Sequence, residues 1–297
     1  MIMSYEKTRC GYVAIVGRPN VGKSTLLNHI LGQKISITSD KPQTTQHQIL
    51  GIKTAANAQT IYIDTPGLHQ SSKRLLNRYM NRAAWSVLSD ANVIIFMIDA
   101  RYWTKDDEWI FERIKTVKNP VILALNKVDL VKDKKSLLPI LETLHQKMSF
   151  AGILPMSAMK RDHLVTLEAM IEKLLPEQTY LFPTDQITDR EDKFFIAEII
   201  REKVIRLTGQ EVPYDIAVIV DDVKLKENIL HIHVTIWVQR PGQKAIIIGQ
   251  KGARLKQVGS LARAELEKLF QCKVFLGLWV KIKTGWSEDE KFVSSLV

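Results

Sequence analysis

Short apolar runs alternate with stretches of helical periodicity up to about residue 175. The runs lie at residues 12–16, 59–63, 93–98, 121–125 and 152–156. Continuous apolar runs of this length are typical of parallel strands buried on both faces, which need helical crossovers between them. We therefore predict an α/β domain with a doubly wound, mostly parallel sheet.

The periodicity fades between residues 175 and 190, where Pro176 and Pro183 occur among Thr, Gln and Asp. Beyond this stretch the pattern changes to isolated helices and strands, which indicates a small α+β unit. The predicted elements are a helix at about 191–207, strands at about 215–223 and 229–238, a helical region at about 242–269 and a strand at 274–283. We predict a first domain at 1–176, a linker at 177–190 and a second domain at 191–297.

Composition agrees with two globular domains, because 297 residues with 45% apolar and 25% charged side chains can bury two cores. No apolar run reaches 18 residues, so we expect neither secretion nor a membrane span. Cys10 and Cys272 lack metal-binding or redox spacing.

The net charge is +10, and residues 240–283 carry ten basic and two acidic side chains. Such a block is often only a solvated face, so charge alone does not establish nucleic-acid binding.

The segment Gly17 to Ser24 reads GRPNVGKS and matches a phosphate-binding P-loop between a strand and a helix. Its backbone N–H groups and the positive end of the following helix should face phosphate oxygens. Lys23 should neutralise the β- and γ-phosphates, and the Ser24 hydroxyl should bind Mg²⁺. The remaining predicted nucleotide contacts of this loop are Arg18, Pro19, Asn20, Val21, Gly22 and Thr25.

Two further motifs follow predicted strands. Asp64, Thr65, Pro66 and Gly67 (DTPG) come at a carboxyl edge of the sheet, where α/β proteins bind ligands. Asp64 should contact the metal, and the Gly67 N–H should reach the γ-phosphate. Thr65, Pro66 and Leu68 are the other predicted nucleotide contacts here. Asn126, Lys127, Val128 and Asp129 (NKVD) follow the predicted strand at residues 121–125, again at the carboxyl edge. The Asp129 carboxylate can accept both donors of guanine, which selects GTP over ATP.

These motifs, with a loop at Ser157 and Ala158, resemble the G1, G3, G4 and G5 motifs of translation-factor-class GTPases. The resemblance implies a G2 threonine in the segment Gln43-Thr44-Thr45-Gln46-His47. We favour Thr45 as the magnesium ligand, with Thr44 as the alternative, because sequence does not separate adjacent threonines. A metabolic P-loop ATPase or kinase is disfavoured by Asp129.

Hydrolysis should be slow without help. Leu68 stands where many GTPases have a glutamine that orients water, and Pro19 stands where glycine is frequent. The predicted catalytic residues are Lys23, Thr45, Gly67 and Asn20. We hypothesise that Asn20 helps to hold K⁺ against the phosphates, in the role of an arginine finger; equal GTPase rates in potassium and sodium buffers would contradict this. Asn20 as an ordinary turn residue is the alternative.

The second domain contains a GxxG motif, Gly249-Gln250-Lys251-Gly252, inside the basic block. Glycines there let two backbones approach and clamp about four nucleotides. The order helix, two strands, two helices, strand resembles a type II KH domain. The predicted RNA-binding residues are Lys244, Ile248, Gly249, Gln250, Lys251, Gly252, Arg254 and Lys256. The alternative is a tight helix-turn-helix with solvated lysines. Trp279 is either a base-stacking platform or an anchor on the helices, and we favour the anchor.

A GTPase domain joined to a KH domain, with PQTTQH, DTPGLH and LWVKIKTGW, closely resembles the Era family of bacterial ribosome-assembly GTPases over essentially the whole chain. Gln46 stands where arginine is common in that family, and Met159 follows Ser157-Ala158. The resemblance implies GTP hydrolysis with Mg²⁺, binding of the 3′ end of 16S ribosomal RNA and help in maturing the small (30S) subunit, with RNA binding controlled by GTP. It also implies a cytoplasmic monomer, partly peripheral at the inner membrane. The alternative is a GTP-regulated switch on a protein or membrane partner, with a structural KH unit.

Overall fold

The computed structural model describes residues 8–39, 41, 44–45, 47–68, 70, 75–209, 216–290 and 292. These residues form two compact units. The first unit takes the described residues of Met1–Ser36, Thr45–Lys73 and Asn77–Asp189. The second unit takes those of Ile37–Thr44, Arg74–Leu76 and Arg190–Val297. A short segment from the first part of the chain, Ile37–Thr44, therefore packs with the second unit.

The first unit contains a six-stranded sheet in the order β2-β3-β1-β4-β5-β6. All neighbouring strands are parallel except β2, which runs antiparallel to β3. The strands are β1 Arg9–Val16, β2 Ile49–Thr54, β3 Ala58–Asp64, β4 Val93–Asp99, β5 Val121–Asn126 and β6 Gly152–Pro155. Every residue of β3, β4 and β5 is buried, as expected for strands covered on both faces. The doubly wound, mostly parallel sheet is confirmed.

Five helices accompany this sheet in the described residues, of which four connect strands and the fifth follows the last strand. They are α1 Lys23–Leu31, α2 Leu75–Asp90, α3 Lys105–Ile114, α4 Leu137–Lys147 and α5 Leu164–Leu174. Helix α3 begins with a capping box, in which the Thr104 hydroxyl accepts from the Asp107 N–H and the Asp107 carboxylate accepts from the Thr104 N–H. Phe96, Phe111 and Leu123 belong to the core between these helices and the sheet.

Strand β2 has no counterpart among the predicted strands. Its sequence, ILGIKT, is short and contains Gly51 and two polar residues, which weakens the apolar signal of a strand. It lies at the edge of the sheet, where the segment after α5 covers it: the Ile52 N–H donates to the Ile187 carbonyl at 2.7 Å. Residues 177–189 thus pack with the first unit.

The second unit has a three-stranded sheet in the order β7-β8-β9, with β7 antiparallel and β9 parallel to β8. Its elements are α6 Asp192–Leu207, β7 Ile216–Lys226, β8 Ile229–Val238, α7 Pro241–Ile248, α8 Ala253–Phe270 and β9 Lys273–Ile282. The predicted helical region at 242–269 is two helices, separated by a single 3-10 turn at Gln250–Gly252. The predicted α+β order of helix, two strands, two helices and strand is confirmed.

Alternate residues of the three strands face the helices and form the second core. Ile232, Val234 and Ile236 of β8 are fully buried there, together with Ile200 of α6 and Val258 of α8. Strand alternation places Trp279 on the opposite face of the sheet, where 46% of it is exposed. The expectation that Trp279 anchors the sheet to the helices was therefore wrong.

Candidate functional site

The P-loop connects β1 to α1, as the motif requires. Gly22 caps the helix with φ 107°, a left-handed conformation that is costly for other residues. A Cβ at this position would lie 2.3 Å from the Asn126 Nδ2 atom. The absence of a side chain therefore allows the loop to approach the end of β5, and the first N–H groups of α1 face the loop.

The Lys23 ammonium is buried inside this loop. Its Nζ donates to the Gly17 carbonyl at 3.0 Å and to the Arg18 carbonyl at 3.1 Å. Burial lowers the pKa of Lys23 to about 8, against the opposing effect of Asp64. A phosphate in the loop would supply the negative charge that this desolvated cation lacks.

Oxygens from four side chains meet near Lys23. The Ser24 hydroxyl donates to Asp64 Oδ2 at 2.8 Å and lies 2.8 Å from the Thr45 hydroxyl. Ser36 donates to the same Asp64 oxygen at 2.9 Å. The other oxygen, Asp64 Oδ1, is buried without a hydrogen-bond partner, and burial raises the pKa of this carboxyl group. A hard cation suits such a cluster of oxygens with one unsatisfied carboxylate oxygen.

The two adjacent threonines have different surroundings. Thr45 lies beside Ser24 in the first unit. The Thr44 hydroxyl lies 2.6 Å from the Ser39 hydroxyl and donates to the Lys41 carbonyl at 2.6 Å, so it is engaged within its own turn. Gln43 and Gln46 lie outside the described residues. Of the two candidates, only Thr45 is placed with the other oxygens.

The described residues of Ile37–Thr44 are bound to α6 within the second unit. Arg201 donates to the Thr44 carbonyl and forms a two-bond ion pair with Glu198, with N–O distances of 2.6 and 2.7 Å. Arg206 donates to the Thr38 carbonyl at 2.8 Å, and the Lys41 ammonium donates to carbonyls near the end of α6. Arg201 and Glu198 are both almost fully buried. This set of contacts is called the α6 clamp below.

Asn126 ties three loops together. Its amide donates to the Val21 carbonyl at 2.6 Å, and its Oδ1 accepts from the Ala158 N–H at 2.8 Å. The NKVD loop, the P-loop and the Ser157-Ala158 loop are thus held in one arrangement. Ser157 is fully buried, and its hydroxyl accepts from the Lys160 N–H.

Lys127 lies over the same edge of the sheet with φ 68°. Its ammonium donates to the Asn20 carbonyl and lies 3.2 Å from Asp99 Oδ2. Burial by itself would raise the pKa of Asp99, but hydrogen bonds from Arg101 and Lys127 hold it at about 2. Asp129 follows in a short 3-10 turn, Val128–Leu130.

The DTPG loop lies against the P-loop. A Cβ on Gly67 would lie 2.7 Å from Pro19, and the Leu68 N–H donates to the Gly17 carbonyl at 3.2 Å. The Thr65 hydroxyl donates to the Ile15 carbonyl at 2.7 Å. Leu68 is fully buried in the core. Its side chain therefore neither reaches solvent nor offers an atom that could orient water.

Sequence reasoning missed Ser36, Asp99 and Asp107 around this site. Asp107 is buried and pairs with Arg18 at 3.0 Å, while the Arg18 guanidinium lies 4.8 Å from the Tyr102 ring. These residues lie outside the motifs, so no local pattern identifies them. For Asp107 alone there was a signal: an acidic residue three positions after a threonine is a pattern typical of a helix N-terminus.

The GxxG motif forms the turn between α7 and α8. Gly249, Lys251 and Gly252 all have positive φ values, of 71°, 49° and 79°. A Cβ on Gly249 would lie 2.7 Å from the Arg254 Cβ, so a glycine is required for the close approach of α8. Arg254 donates to the Ile246 carbonyl and thereby fastens the two helices across the turn.

A groove of about 720 Å³ runs from this turn along α8 and β9. Its charged lining residues are Lys256, Arg263, Glu267 and Lys273; its other lining residues are Ile229, Gly252, Leu255, Gly259, Ser260, Val274, Phe275, Leu276 and Leu278. Strand β9 is the edge strand of its sheet. The groove therefore combines a helix face, basic side chains and an edge strand.

Of the eight predicted RNA-binding residues, Gly252 and Lys256 line the groove. The other six lie on α7, in the turn or at the start of α8. The missed residues Gly259, Ser260 and Arg263 follow Gly252 and Lys256 at helical spacing along one face of α8. That spacing was the signal that could have found them.

No helix in the described part of the chain is long and apolar enough to cross a membrane.

Comparisons with known families match both units. A family described as 50S ribosome-binding GTPase matches residues 12–127, and a KH domain family matches residues 211–287. Two solved structures are similar over 97% of this chain, each with a TM-score of 0.94. One is Era in complex with MgGDPNP and nucleotides 1506–1542 of 16S ribosomal RNA, at 44% identity and 98% coverage of that chain. The other is a variant of Aquifex aeolicus Era bound to GDP·AlF4⁻, at 43% identity and 99% coverage.

Two curated relatives are similar over nearly their full length. The GTPase Era of Marinobacter nauticus is 54% identical over 290 residues, covering 98% of this chain and 95% of that protein. The GTPase Era of Pseudomonas syringae pv. tomato is 54% identical over 289 residues, covering 97% of this chain and 96% of that protein. Identity at this level over both units, together with the P-loop and GxxG motifs, shows that the chain belongs to the Era family of GTPases.

Proposed function

We propose that this GTPase binds and hydrolyses GTP with Mg²⁺ and binds the 3′ end of small-subunit ribosomal RNA through its KH unit. By this means it assists maturation of the small ribosomal subunit. The observation that carries the proposal is the joining, in one chain, of an oxygen cluster at a P-loop with a basic groove that starts at a GxxG turn. A similar protein is solved with both MgGDPNP and 16S ribosomal RNA bound.

The nucleotide binds with its phosphates at the P-loop and its base between the NKVD and Ser157-Ala158 loops. Lys23 gives up its bonds to loop carbonyls and pairs with the β- and γ-phosphates. Asp129 accepts from the two guanine donors, and Lys127 lies along the base. The bond from Ala158 N–H to Asn126 holds the third loop in reach of the guanine oxygen.

Ser24, Thr45 and Asp64 would hold Mg²⁺, directly or through water. Their proximity and the unpartnered Asp64 Oδ1 support this assignment. The bound cation would supply positive charge for the phosphate oxygens of the nucleotide. Its charge would also favour the carboxylate form of Asp64, against the effect of burial on this group.

Hydrolysis depends on positioning by the backbone and on the charges around the γ-phosphate. The Gly67 N–H faces the γ-phosphate, and the contact of Gly67 with Pro19 keeps the two loops in register. Leu68 is buried and does not orient the attacking water. Asn20 lies in the P-loop in a left-handed conformation. We infer that its side-chain amide would help to hold K⁺ against the phosphates.

RNA binds in the groove along α8 and β9. The GxxG turn lets the RNA backbone come close to the N-terminus of α8, while Lys251, Lys256 and Arg263 are exposed cations along its path. The apolar lining of the groove provides surfaces for bases, and the polar edge of β9 provides hydrogen-bonding groups.

GTP controls RNA binding through the segment at residues 37–45. Thr45 joins the metal oxygens, whereas the preceding residue, Thr44, is held by Arg201 of α6. Lys203 of the same helix forms an ion pair with Glu265 of α8, which is the helix that lines the groove. A change at Thr45 would therefore act on α6 through Thr44 and Arg201, and α6 contacts α8 through the Lys203–Glu265 ion pair.

Membership of the Era family supports a cytoplasmic protein. The net charge of +10 is compatible with some peripheral attraction to anionic lipid on the inner membrane face. We expect a monomer. Co-sedimentation with phosphatidylglycerol vesicles in low and high salt tests the membrane part, and light scattering tests the monomer.

The RNA proposal is tested with an oligonucleotide that matches the 3′ end of small-subunit ribosomal RNA. Its affinity is measured with the full chain loaded with a non-hydrolysable GTP analogue, for the parent and for Gly252→Asp. The new carboxylate enters the groove, where no neighbouring atom lies within 4 Å of a Cβ, so it meets no steric clash. The backbone strain of a side chain at φ 79° is matched in the control variant, Gly285→Asp. We expect at least about tenfold weaker binding in the variant, the cost of a like charge at a phosphate contact.

Gly285→Asp is the matched control. Gly285 also has a positive φ, of 70°, and no atom within 4 Å of a Cβ, but it does not line the groove. We expect it to bind RNA like the parent. Equal RNA binding by all three proteins would contradict RNA binding through the KH unit. It would favour the alternative of a GTP-regulated switch with a protein or membrane partner.

A further inference from the structure

The outer face of the β7-β8-β9 sheet, opposite the helices, carries a cluster of aromatic rings. Phe275 is 51% exposed and Trp279 is 46% exposed, and both lie on β9. His231 and His233 project from the neighbouring strand β8 on the same face. These four residues are called the ring cluster. It is separate from the core, since β8 and β9 send their alternate residues to the helices.

The rings are in contact with one another. The His231 and Phe275 centroids are 5.2 Å apart, and His233 lies 5.3 Å from Trp279 and 6.0 Å from Phe275. Scattered exposed aromatics are ordinary, but a contiguous set on one face marks a binding surface.

Gly277 lies between Phe275 and Trp279 and makes this arrangement possible. A Cβ there would lie 2.8 Å from the His233 Nδ1 atom and 2.9 Å from the Trp279 Cη2 atom. The Trp279 indole and the His233 imidazole thus pack against the backbone at Gly277. This close packing leaves little room for other rotamers of the two side chains. The rings are therefore held in place before any partner binds, which lowers the entropy cost of binding.

Cations surround the ring cluster. At one end lie Lys226 of β7 and Lys273 of β9, which both pair with Ile229 of β8. At the other end lies Lys281, whose ammonium is 5.7 Å from the centre of the Trp237 ring. On β7, Lys224 pairs with Asp222 at 2.9 Å, so one of the acidic groups on this face is already neutralised. Aromatic rings between cations favour a polyanion that also presents flat apolar surfaces, which describes single-stranded nucleic acid.

We propose that the ring cluster is a second binding surface for single-stranded RNA, on which bases stack while Lys226, Lys273 and Lys281 attract the phosphates. The rise of a strand places Phe275 and Trp279 roughly 13 Å apart, far enough to take separate bases. Phe275 and Lys273 also line the groove, so one RNA strand can leave the groove across β9 and continue onto this face. The inference rests on the proposed RNA-binding function and extends its footprint.

The test uses a fluorescein-labelled oligouridylate of about 20 nucleotides, long enough to cover both surfaces. Its affinity for the full chain is measured for the parent, Trp279→Ala and Trp279→Phe, each alone and combined with Gly252→Asp. Because Trp279 does not line the groove, its removal leaves the groove unchanged. Ile282→Ala is the control, since Ile282 is similarly exposed on the same strand and is not aromatic.

We expect Trp279→Ala to weaken binding by about 5- to 100-fold, the usual loss for one stacked base. Trp279→Phe should restore most of that affinity, because it keeps a ring for stacking, and Ile282→Ala should bind like the parent. The effect of Trp279→Ala should persist in the Gly252→Asp background.

Two outcomes separate the surfaces. In the first outcome, Trp279→Ala has no effect on RNA affinity, alone or combined with Gly252→Asp, while Gly252→Asp itself binds weakly. The ring cluster is then not an RNA surface, and a protein partner becomes the alternative. If Gly252→Asp binds like the parent while Trp279→Ala is weak, the groove proposal fails and the ring cluster proposal stands. Loss of affinity in Trp279→Phe equal to that in Trp279→Ala would also overturn stacking.

Discussion

At the residue scale, the nucleotide site is a set of buried polar groups whose partners are incomplete. Lys23 has only loop carbonyls as partners, and Asp64 leaves one buried oxygen unsatisfied. Buried polar groups without full partners cost free energy of folding, and they are kept where a ligand completes them. A magnesium-bound nucleoside triphosphate supplies both the anion and the cation that these two residues require.

Thr45 and Thr44 form a matched pair for testing the metal assignment. Thr45→Ala removes an oxygen beside Ser24, so we expect the magnesium-dependent GTPase rate to fall at least about tenfold, as losses at metal sites typically do. Thr44→Ala removes a hydroxyl that is engaged with Ser39 and Lys41, and its backbone carbonyl can still accept from Arg201. We expect its rate to stay within about twofold of the parent.

The readout is the single-turnover GTPase rate over a magnesium titration. Thr45→Ala should also shift the magnesium midpoint upward, which a general loss of folding would not do. An unchanged rate for Thr45→Ala combined with a reduced rate for Thr44→Ala would reverse the assignment.

At the element scale, the edge strand β2 is protected by the segment that follows the last helix of the first unit. Gln59 of β3 is fully buried and fastens that segment. Its Oε1 accepts from the N–H groups of Leu181 and Phe182 at 2.9 Å, and its Nε2 donates to the Phe182 carbonyl at 2.8 Å. One side chain therefore satisfies three backbone groups that the sheet does not pair.

Replacement of Gln59 by Ala should lower the free energy of unfolding of the first unit by about 2–4 kcal/mol, because it leaves partly buried backbone groups without partners. Urea titration followed by hydrogen exchange of each unit measures this loss separately from the second unit. Gln186→Ala, in the same segment, removes only a bond to the Thr188 carbonyl and should cost less than about 1 kcal/mol. Equal stability of Gln59→Ala and the parent would show that the segment does not depend on this contact.

The elements also show what the sequence could predict. The apolar runs predicted five strands of the first sheet, because strands buried on both faces leave a continuous signal. They did not predict β2, because this edge strand has only a short mixture of apolar and polar residues. Trp279 is predicted to be a core residue because tryptophan is usually buried. In the structure, the alternation along β9 turns it to the outer face, where its ring packs over Gly277.

The motifs predicted Ser24, Asp64 and Asn126 as site residues, because the chemistry of each motif is local in sequence. Ser36, Asp99 and Asp107 act through contacts between elements that are distant in the chain, so no motif contains them. The choice between Thr44 and Thr45 likewise depends on which residue the backbone turns toward Ser24. The groove residues of α8 were predictable in principle from helical spacing, starting at Gly252.

At the scale of the whole molecule, the packing of Ile37–Thr44 with the second unit is the feature that the sequence least suggests. Nothing in the residues of this segment indicates that Arg201, more than 150 positions away, will bind the Thr44 carbonyl. Because Thr45 is the next residue, one peptide bond joins the α6 clamp to an oxygen-bearing residue that is proposed to hold Mg²⁺. Coupling between two ligands requires such an element, whose position both can bias.

The clamp can be weakened without leaving a buried charge alone. Glu198→Gln together with Arg201→Met removes both members of the buried ion pair and the donor to the Thr44 carbonyl. A single replacement would strand the other charge and cost about 3–5 kcal/mol, whereas a paired replacement is often nearly neutral. Both residues lie outside the P-loop and the groove lining, so basal GTP hydrolysis should stay close to that of the parent.

The most direct test of nucleotide control is the ratio of RNA affinities in the two nucleotide states. The dissociation constant of the ribosomal 3′-end oligonucleotide is measured for the parent loaded with a GTP analogue and with GDP, and then for the Glu198→Gln/Arg201→Met variant. We predict at least about fivefold tighter binding with the GTP analogue in the parent, an equal rise in GTP-analogue affinity caused by RNA, and a ratio near one in the variant. Equal RNA affinity in both states of the parent, or an unchanged ratio in the variant, would contradict nucleotide control through the α6 clamp.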